Sequence, residues 1–450
     1  MADLSNIVKA YDVRGTVPDQ LDALTARALG AAFALFAAAP RIVVARDMRE
    51  SGVELGRAFA EGALAVGVDV VDAGLGSTDL LYYAAGTLDL PGAMFTASHN
   101  PARYNGIKMC LAGARPIGQD TGLAEVRRSA EAILAEGLPT SGPAGTLTTQ
   151  DLLADYGEHL LALVPGVRDV RPLKVVVDCG NGMGGLTVPV VLGGLPLEVV
   201  EMYFELDGSF PHHEANPIDP ATLVDLQARV VAEGADLGLA FDGDADRCFV
   251  VDERGALVSP SALTALIAER ELLRVPGSTV IHNLITSRAV PEVVTEAGGT
   301  PVRTRVGHSF IKAEMARTGA LFGGEHSGHF YFREFWNADS GMLAALHALA
   351  ALGAHDGTLS SLLTRYDRYA QSGEINSTVD DAAGRVAAVR SAYGAHAQDQ
   401  LDGLTVDLGD GSWFNVRSSN TEPLLRVNVE APDRAGMERV RDEVLALIRG

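Results

Sequence analysis

One loop, Thr96-Ala97-Ser98-His99-Asn100-Pro101, connects two apolar runs, Gly92-Ala93-Met94-Phe95 and Gly106-Ile107-Lys108-Met109-Cys110-Leu111. Both runs have the composition of buried strands. The hydroxyl of Ser98 sits in the middle of the loop, next to an imidazole, and Lys108 follows ten residues later. A serine presented in this way can act as a nucleophile or as a phosphoryl carrier. Thr, Ser, Asn and Pro are also common turn residues, so an ordinary turn without catalytic function is an alternative interpretation of this loop.

This strand–loop–strand unit occurs three times along the chain, around the polar loops 96–105, 242–247 and 323–329. Each copy is preceded by the order strand, polar loop, helix, strand. Apolar strands that alternate with helices indicate sheets covered on both faces. A repeat of this kind indicates several copies of one supersecondary unit. The sequence therefore predicts three similar mixed-sheet α/β domains, with their most polar loops in equivalent positions.

The pattern changes after Thr358. Residues 413–417 and 424–429 alternate apolar and polar side chains on either side of the loop 418–423, as antiparallel strands do. The apolar spacing of residues 434–448 indicates a final helix. The C-terminal part is therefore predicted to be a smaller α+β domain.

Candidate linkers are marked by glycine, proline and small polar residues. They lie at residues 141–149, at 252–259 and near 371–373. With these boundaries the predicted domains are 1–148, which contains Ser98, then 149–253, 254–370 and 371–450.

The charge of the chain argues against two classes of partner. The net charge is −22, from 58 acidic and 36 basic residues, and no run of Lys or Arg stands out. Nucleic acids and anionic membrane surfaces both attract a basic footprint, so we expect neither as a partner. A small anionic substrate is still possible, because a local cluster of Arg and Lys could bind it despite the repulsion from the net negative charge of the chain.

Composition indicates a globular protein of the cytoplasm, with 47% apolar and 21% charged residues in a chain of 450. Cys110, Cys179 and Cys248 lie in or beside apolar runs and lack the spacing of a disulfide framework, which predicts reduced core thiols. Residues 1–9 lack the pattern of a secretory signal. The longest apolar helix-like run, residues 28–40, is shorter than the ~20 residues that cross a membrane.

The most specific chemistry lies in Asp242-Gly243-Asp244-Ala245-Asp246-Arg247. Three carboxylates at alternate positions, with a glycine that bends the backbone, can converge on one hard cation such as Mg²⁺. An EF-hand is excluded because Arg247 takes the place of its glycine and strands flank the loop. A solvated acidic turn is the alternative, although packed carboxylates repel one another unless they are neutralised. Arg247 is suited to offset that repulsion or to bind a substrate phosphate.

Two further loops suit a sugar phosphate. Residues 323–329 offer the carboxylate of Glu325 and the hydroxyl of Ser327 to sugar hydroxyls. Residues 417–423, Arg-Ser-Ser-Asn-Thr-Glu-Pro, combine a guanidinium, hydroxyls and an amide, which are groups that bind a phosphate dianion. An ordinary polar turn is the alternative for each. His308 is a further candidate, with a structural histidine as its alternative.

Taken together, these loops resemble those of the α-D-phosphohexomutase superfamily, the phosphomannomutase/phosphoglucomutase group in particular. The resemblance covers the whole chain in order. Residues 96–101 resemble the phosphoserine loop of the family, 242–247 its magnesium loop, 324–329 its sugar-binding loop and 417–423 its phosphate-binding loop. The resemblance implies four domains around one central cleft, the first three of which share an α/β core.

The resemblance also implies a mechanism and a set of site residues. Ser98 would carry a phosphoryl group, and a hexose 1,6-bisphosphate would be the intermediate and activator. Glu325 and Ser327 would hold the sugar hydroxyls. The implied ligands of Mg²⁺ are Asp242, Asp244, Asp246 and a phosphoserine oxygen at Ser98. The residues implied to bind the distal phosphate are Arg417, Ser419, Asn420 and Thr421, and the basic residues near the reacting group are Arg14, Lys108, Arg247, His308 and His329, of which Lys108 and His329 are the candidates for proton transfer.

The departures from the family pattern bear on the substrate. Some bacterial relatives carry a lysine in the loop that corresponds to residues 282–288, where Arg288 replaces it or the contact is lost. His326 stands where phosphoglucosamine mutases have glutamine, and residues 104–106 resemble the mannose/glucose branch. We therefore predict an enzyme that interconverts hexose 1-phosphate and hexose 6-phosphate, with mannose and/or glucose as the hexose.

Three other functions compete with this prediction. A phosphoglucosamine mutase differs only in its hexose. A metal-dependent sugar phosphatase is disfavoured because only a substrate that reorients requires a second phosphate-binding loop. A non-catalytic binding protein is disfavoured because it needs no phosphoryl carrier.

Overall fold

The computed structural model describes residues 3–139, 142–418 and 424–450. The chain divides into two compact units. Unit 1 consists of Met1–Pro260 and Ser327–Leu362, and unit 2 consists of Ser261–His326 and Leu363–Gly450.

The first sheet of unit 1 is built around β2 (Arg41–Arg46). This strand pairs in parallel with β3 (Asp69–Leu75) on one side and with β4 (Gly92–Phe95) on the other, and β5 (Tyr104–Leu111) is antiparallel to β4. The loop that contains Ser98 therefore joins β4 to β5. The other elements here are β1 (Val13–Thr16) and β6 (Arg115–Pro116), both paired with β5, β7 (Leu147–Thr149), paired with β3, and the helices α1 (Ala23–Ala37), α2 (Glu50–Ala65), α3 (Thr78–Thr87) and α4 (Leu123–Glu136).

The core of this first part is aromatic at its centre. The rings of Phe33 and Phe59 are 6.0 Å apart, and Phe59 meets Phe95 of β4 edge-to-face at 5.4 Å. Burying each ring contributes about 1.5–3 kcal/mol. Helices α1 and α2 pack closely because a Cβ at Gly30 or at Gly62 would lie only 2.0 Å from a carbonyl oxygen of the facing helix. The strand that leads to Ser98 therefore rests on a tightly packed support.

The second sheet of unit 1 repeats this plan around β8 (Leu173–Asp178). That strand is parallel to β9 (Leu197–Met202) and to β10 (Leu237–Phe241), and β11 (Cys248–Asp252) is antiparallel to β10. The acidic loop joins β10 to β11, the position that the Ser98 loop has in the first sheet. The helices of this part are α5 (Leu153–Leu163), α6 (Gly184–Leu192) and α7 (Val224–Glu233).

The third copy begins in unit 2 around β12 (Thr279–Asn283). This strand is parallel to β13 (Thr300–Thr304) and to β14 (Phe322–Gly324). The helices here are α8 (Pro260–Arg274), α9 (Ala289–Glu296) and α10 (His308–Thr318). The chain then continues through the antiparallel strands β15 (Phe330–Phe332) and β16 (Ala338–Asp339) of unit 1, then α11 (Gly341–Gly353) and α12 (Leu359–Leu363).

The C-terminal part of unit 2 is an antiparallel sheet with two helices. The strand order is β17 (Ala370–Thr378), β21 (Leu424–Ala431), β20 (Trp413–Ser418), β19 (Leu404–Asp407) and β18 (Ala397–Asp399). The helices are α13 (Ala382–Ala392) and α14 (Arg434–Arg449), and α14 buries Met437, Val440, Val444 and Ile448. The predicted α+β arrangement is confirmed.

The structure corrects several local predictions. Gly323 and Gly324, predicted to begin a polar loop, belong to β14, and residues 104–105, predicted to end another, belong to β5. Arg14 lies in strand β1. The segments predicted as linkers contain local structure of their own. Residues 147–149 form β7, residues 252–258 form a tight return in which Val258 N donates to Val250 O, and residues 371–373 lie at a bulge within β17. Small polar residues mark turns and bulges as well as linkers.

The predictions about the cysteines and about membrane-spanning segments can also be compared with the structure. Cys110, Cys179 and Cys248 are buried and carry free thiols. Among the residues that the structure describes, no helix combines the length and the apolarity that a bilayer crossing requires.

Candidate active site

Ser98 is held in a buried turn with its hydroxyl directed at the acidic loop. Its backbone is left-handed, with φ of +50°, and its N–H donates to Thr96 Oγ1 at 2.9 Å. The Oγ of Ser98 donates to Asp242 Oδ2 at 2.8 Å and accepts from Arg247 Nη2 at 2.9 Å. Only glycine fits at position 243, since a Cβ there would lie 2.5 Å from Ser98 O. The first two polar loops therefore meet at Ser98.

The three carboxylates of the acidic loop converge. Asp242, Asp244 and Asp246 are buried, and one oxygen from each lies within 4.8 Å of the others. Ala245, with φ of +58°, turns the backbone between the last two. Within the described chain, Oδ1 of Asp244 and Oδ1 of Asp246 are buried and accept no hydrogen bond. Unpartnered buried oxygens are costly, and a hard divalent cation would satisfy them.

Two cations partly neutralise this loop. Lys108 Nζ donates to Asp244 Oδ2 at 2.7 Å and to Asp246 Oδ2 at 2.5 Å, and Arg247 Nε donates to Asp242 Oδ2 at 2.9 Å. Three carboxylates and two cations leave one negative charge, so the donor set suits a divalent cation.

Burial and ion pairing act against each other on these groups. Burial raises the pKa of Asp242 to about 7, although the charge of Arg247 opposes this effect. Burial alone would also raise the pKa of Asp244, but the charge and hydrogen bond of Lys108 hold it below its ordinary value. For Lys108, burial lowers the pKa while Asp244 and Asp246 raise it, and the carboxylates prevail.

The two histidines at this site differ in their surroundings. Burial, together with the charges of Arg247 and Arg14, holds the pKa of His99 well below its ordinary value, and Nδ1 of this neutral ring contacts Arg247 Nη2. His329 Nδ1 lies 3.0 Å from Ser327 Oγ, and its Nε2 lies 3.6 Å from Asp246 Oδ1. His329 is therefore oriented by a hydroxyl on one side and faces the acidic loop on the other.

Arg14 borders the Ser98 loop from strand β1. Its guanidinium donates to Asn100 Oδ1 through Nη1 and to Asp12 Oδ2 at 2.6 Å through Nη2. Unit 1 thus places eight predicted site residues in one contiguous network. They are Ser98, Lys108, Asp242, Asp244, Asp246, Arg247 and His329, with Arg14 linked through Asn100 of the Ser98 loop, and Ser327 joins them through His329.

Glu325 and Arg417 belong to unit 2. Glu325 Oε2 is buried near the N–H of Gly307 at 3.3 Å and the amide of Asn283 at 3.4 Å. Arg417 donates to Glu374, which also pairs with Arg426 at 3.4 Å. Burial lowers the pKa of Arg417, against the charge of Glu374.

Some predicted site residues cannot be placed in the same way. His308 begins helix α10, but its side chain is outside the described structure. Ser419, Asn420 and Thr421 lie outside the described residues. Arg288, considered as a replacement for a lysine, pairs with Asp407 at 2.7 Å.

Known protein families match this chain along almost its whole length. The matches are the phosphoglucomutase/phosphomannomutase alpha/beta/alpha domain I at residues 5–136, domain II at 154–255, domain III at 259–369 and the C-terminal domain at 374–447. A protein of Xanthomonas campestris pv. campestris named as a phosphohexose mutase is 42% identical over 450 residues, covering 98% of this chain and 99% of that protein.

The chain belongs to the phosphoglucomutase/phosphomannomutase family. The phosphomannomutase of Escherichia coli is 38% identical over 455 residues and covers 98% of both chains. The crystal structure of a phosphoglucomutase/phosphomannomutase family protein from Burkholderia thailandensis has a TM-score of 0.88 at 33% identity, covering 100% of this chain and 98% of that one. The predicted fold class and the predicted enzyme class, a phosphohexomutase, are confirmed.

Sequence analysis missed Thr78, which supports the acidic loop, and its neighbour Asp79, which binds two hydroxyls. Thr78, at the start of α3, donates through Oγ1 to Asp244 Oδ2 at 2.6 Å, and its N–H donates to Asp244 O at 3.0 Å. The buried carboxylate of Asp79 accepts from Ser77 Oγ and from Ser340 Oγ, the latter at 2.6 Å. In sequence, Ser-Thr-Asp before a helix indicates only an N-cap, so the long-range contacts gave no local signal.

We expect Asp79→Asn to remove part of the pH dependence of folding stability. Burial raises the pKa of Asp79 from 3.8 to about 6, although its hydroxyl donors oppose the shift. A carboxyl whose pKa is raised on folding stabilises the folded state at low pH, and this contribution is lost as pH rises through about 6. Between pH 7.5 and pH 4.5 the wild type should gain about 2 kcal/mol from this group.

The measurement is urea unfolding of both proteins at the two pH values. The difference in unfolding free energy between wild type and Asp79→Asn should change by that amount from one pH to the other. The control is Asp155→Asn, at an exposed position in α5, whose difference from wild type should be the same at both pH values. An equal difference for Asp79→Asn at both pH values would contradict the prediction.

Proposed function

We propose that the protein interconverts hexose 1-phosphate and hexose 6-phosphate, of mannose and/or glucose, with Ser98 as the phosphoryl carrier. The observation that carries this proposal is the buried Ser98 hydroxyl, bound at 2.8 Å to Asp242 and at 2.9 Å to Arg247 beside three converging carboxylates. An ordinary turn needs neither partner. The names of the relatives, phosphomannomutase and phosphomannomutase/phosphoglucomutase, support the same activity.

The acidic loop fits Mg²⁺. Asp242, Asp244 and Asp246, with a phosphoserine oxygen at Ser98, would hold the ion, and the two unpartnered oxygens of the loop supply the chemical reason. When bound, a divalent cation withdraws negative charge from a phosphoryl group during its transfer.

The residues of the chain account for the remaining requirements of phosphoryl transfer. The free hydroxyl of the sugar attacks the phosphorus of phosphorylated Ser98, a new P–O bond forms, and the bond between phosphorus and Ser98 Oγ breaks. His329, oriented by Ser327, accepts the proton of the attacking hydroxyl. Arg247 stabilises the released Ser98 oxygen by the hydrogen bond that it already donates. Lys108, the other candidate for proton transfer, supplies the proton that this oxygen takes up.

A hexose 1,6-bisphosphate results from this first transfer. After the intermediate reorients, Ser98 Oγ attacks its other phosphorus, and the bond between that phosphorus and the sugar oxygen breaks. Lys108 takes back the Ser98 proton and His329 returns its proton to the sugar oxygen, so the phosphoserine is restored and the hexose phosphate is isomerised. Glu325 and Ser327 are proposed to hold the sugar hydroxyls in both orientations, and Arg14 and His308 to lie near the reacting group. The phosphate that is not reacting would be held by Arg417, Ser419, Asn420 and Thr421.

A coupled assay with mannose 1-phosphate, glucose 1-phosphate and glucosamine 1-phosphate tests the activity. We expect 6-phosphates from the first two, formed at least about tenfold faster than from glucosamine 1-phosphate, since specificity of about 1–3 kcal/mol follows from one sugar substituent. No inorganic phosphate should accumulate. Release of phosphate in step with substrate loss would indicate a phosphatase instead, and a preference for glucosamine 1-phosphate would indicate the phosphoglucosamine mutase.

The predicted cytoplasmic location is also part of this proposal. The three free, buried thiols support it, because disulfides are uncommon in reducing compartments.

A further inference from the structure

Arg49 is a buried arginine that the mechanism above does not use. It precedes helix α2, and only 1% of its side chain is exposed. Its guanidinium has five N–H donors, and each has an acceptor. Nε donates to Asp47 Oδ2 at 3.2 Å, Nη1 to the carbonyls of Pro101 at 3.0 Å and Tyr104 at 2.9 Å, and Nη2 to the carbonyls of Ser98 at 2.9 Å and Asn100 at 2.6 Å.

Four of these five bonds hold the backbone of a single loop, the one that presents Ser98. Two of the carbonyls belong to Ser98 itself and to Asn100, on either side of His99. The loop needs such support because Ser98 adopts a left-handed backbone, which residues with a Cβ rarely do. Arg49 thus stabilises the conformation that directs Ser98 Oγ at Asp242 and Arg247.

Arg49 is itself held in place from two sides. Asp47, which is fully buried, accepts from both the N–H and the Nε of Arg49. The ring of Phe210 lies over the guanidinium, 5.1 Å from its carbon. A Cβ at Gly208 would lie 2.8 Å from Arg49 Cα, so this part of the chain packs directly on Arg49. The guanidinium therefore has little room to move.

We propose that Arg49 is a positioning residue for the phosphoryl carrier, acting through the backbone of residues 98–104. The inference rests on the proposed function, in which Ser98 accepts and returns a phosphoryl group. In-line phosphoryl transfer tolerates little displacement of the attacking or leaving Ser98 Oγ. A shift of about 1 Å in the position of a reacting atom can lower the rate about 100-fold. Lysine cannot replace Arg49, because an ammonium has three donors and no planar fork.

Arg49→Lys tests the inference in the full-length protein. We expect kcat to fall at least about 30-fold while KM for the hexose phosphate changes less than about twofold, because loop geometry and not substrate binding is altered. Intact mass should show slower gain of the ~80 Da of one phosphoryl group during incubation with glucose 1,6-bisphosphate. The matched control is Arg57→Lys on the same helix, whose side chain is 71% exposed and which should behave as wild type.

A folded Arg49→Lys protein with wild-type kcat and wild-type phosphorylation rate would overturn the inference. If Arg49→Lys does not fold, Phe210→Leu tests the inference instead. This variant removes the aromatic ring over the guanidinium but leaves all five hydrogen bonds of Arg49 available. It should lower kcat at least about threefold, with KM and the urea midpoint unchanged. Wild-type kcat in Phe210→Leu would then overturn the inference.

The two proposals fail in distinguishable ways. A wild-type protein that never gains a phosphoryl group on Ser98 would contradict the proposed function, whatever Arg49 does. A wild-type protein that gains the group, together with an Arg49→Lys protein that gains it equally fast and turns over equally fast, would contradict only the role of Arg49.

Discussion

Replacing Ser98 by alanine is expected to lower kcat at least about 10⁴-fold, because the proposed reaction has no phosphoryl carrier without the hydroxyl. The fold should persist. Alanine removes two hydrogen bonds to charged groups but leaves Arg247 bound to Asp242 at 2.9 Å, so the unfolding free energy should fall by about 2–4 kcal/mol without loss of the fold. Hexose phosphate should still bind, since the proposed sugar and distal phosphate ligands are untouched.

Two measurements accompany the kinetic assay. Wild-type protein incubated with glucose 1,6-bisphosphate should gain ~80 Da, and Ser98→Ala should not. Isothermal titration with glucose 1-phosphate should give a similar Kd for both proteins. Ser209→Ala, at an exposed position in unit 1, is the matched control and should keep full activity and the mass gain. Turnover above a tenth of the wild-type rate in Ser98→Ala would remove Ser98 as the carrier.

Chelation of divalent cations is expected to lower turnover at least about 10³-fold, and added Mg²⁺ should restore it, since metal ions stabilise transferring phosphoryl groups by several kcal/mol. The folded state should survive chelation. Lys108 and Arg247 already neutralise two of the three carboxylates of the acidic loop. The thermal midpoint should therefore change little while activity disappears.

Asp244→Asn makes this test specific to the loop. It keeps the shape of the side chain but removes one charge from the proposed ligand set, so the Mg²⁺ concentration for half-maximal activity should rise at least about tenfold. Asp155→Asn should leave that concentration unchanged. Undiminished turnover in the presence of excess EDTA would reject the interpretation of Asp242, Asp244 and Asp246 as a metal site.

Local pattern was sufficient for the most regular parts of this fold. The runs 41–46, 173–178 and 279–283 are strands at the centre of their sheets, because buried parallel strands are continuously apolar. The loops that carry Ser98 and Asp242 also have equivalent positions, since each joins a parallel strand to the antiparallel strand beside it, β4 to β5 and β10 to β11. Composition does not record that residues 147–149 and 371–373 are strand residues, because their pairing partners lie far away in the chain.

The sequence by itself determined the family, the three repeated units and the positions of the Ser98 loop and the carboxylate loop, because each depends on residues that are close together in the chain. Only the tertiary structure decided how Ser98 is held. Arg49 is about fifty residues away from the loop whose carbonyls it binds, and Thr78 is more than 160 residues away from Asp244. A guanidinium or a hydroxyl chooses its acceptor by geometry in the folded state, and no local pattern records that choice. Ser98 is a turn residue in the sequence analysis and in the structure. Folding adds what the sequence pattern does not show, because it brings Asp242, Arg247 and Arg49 into contact with that turn.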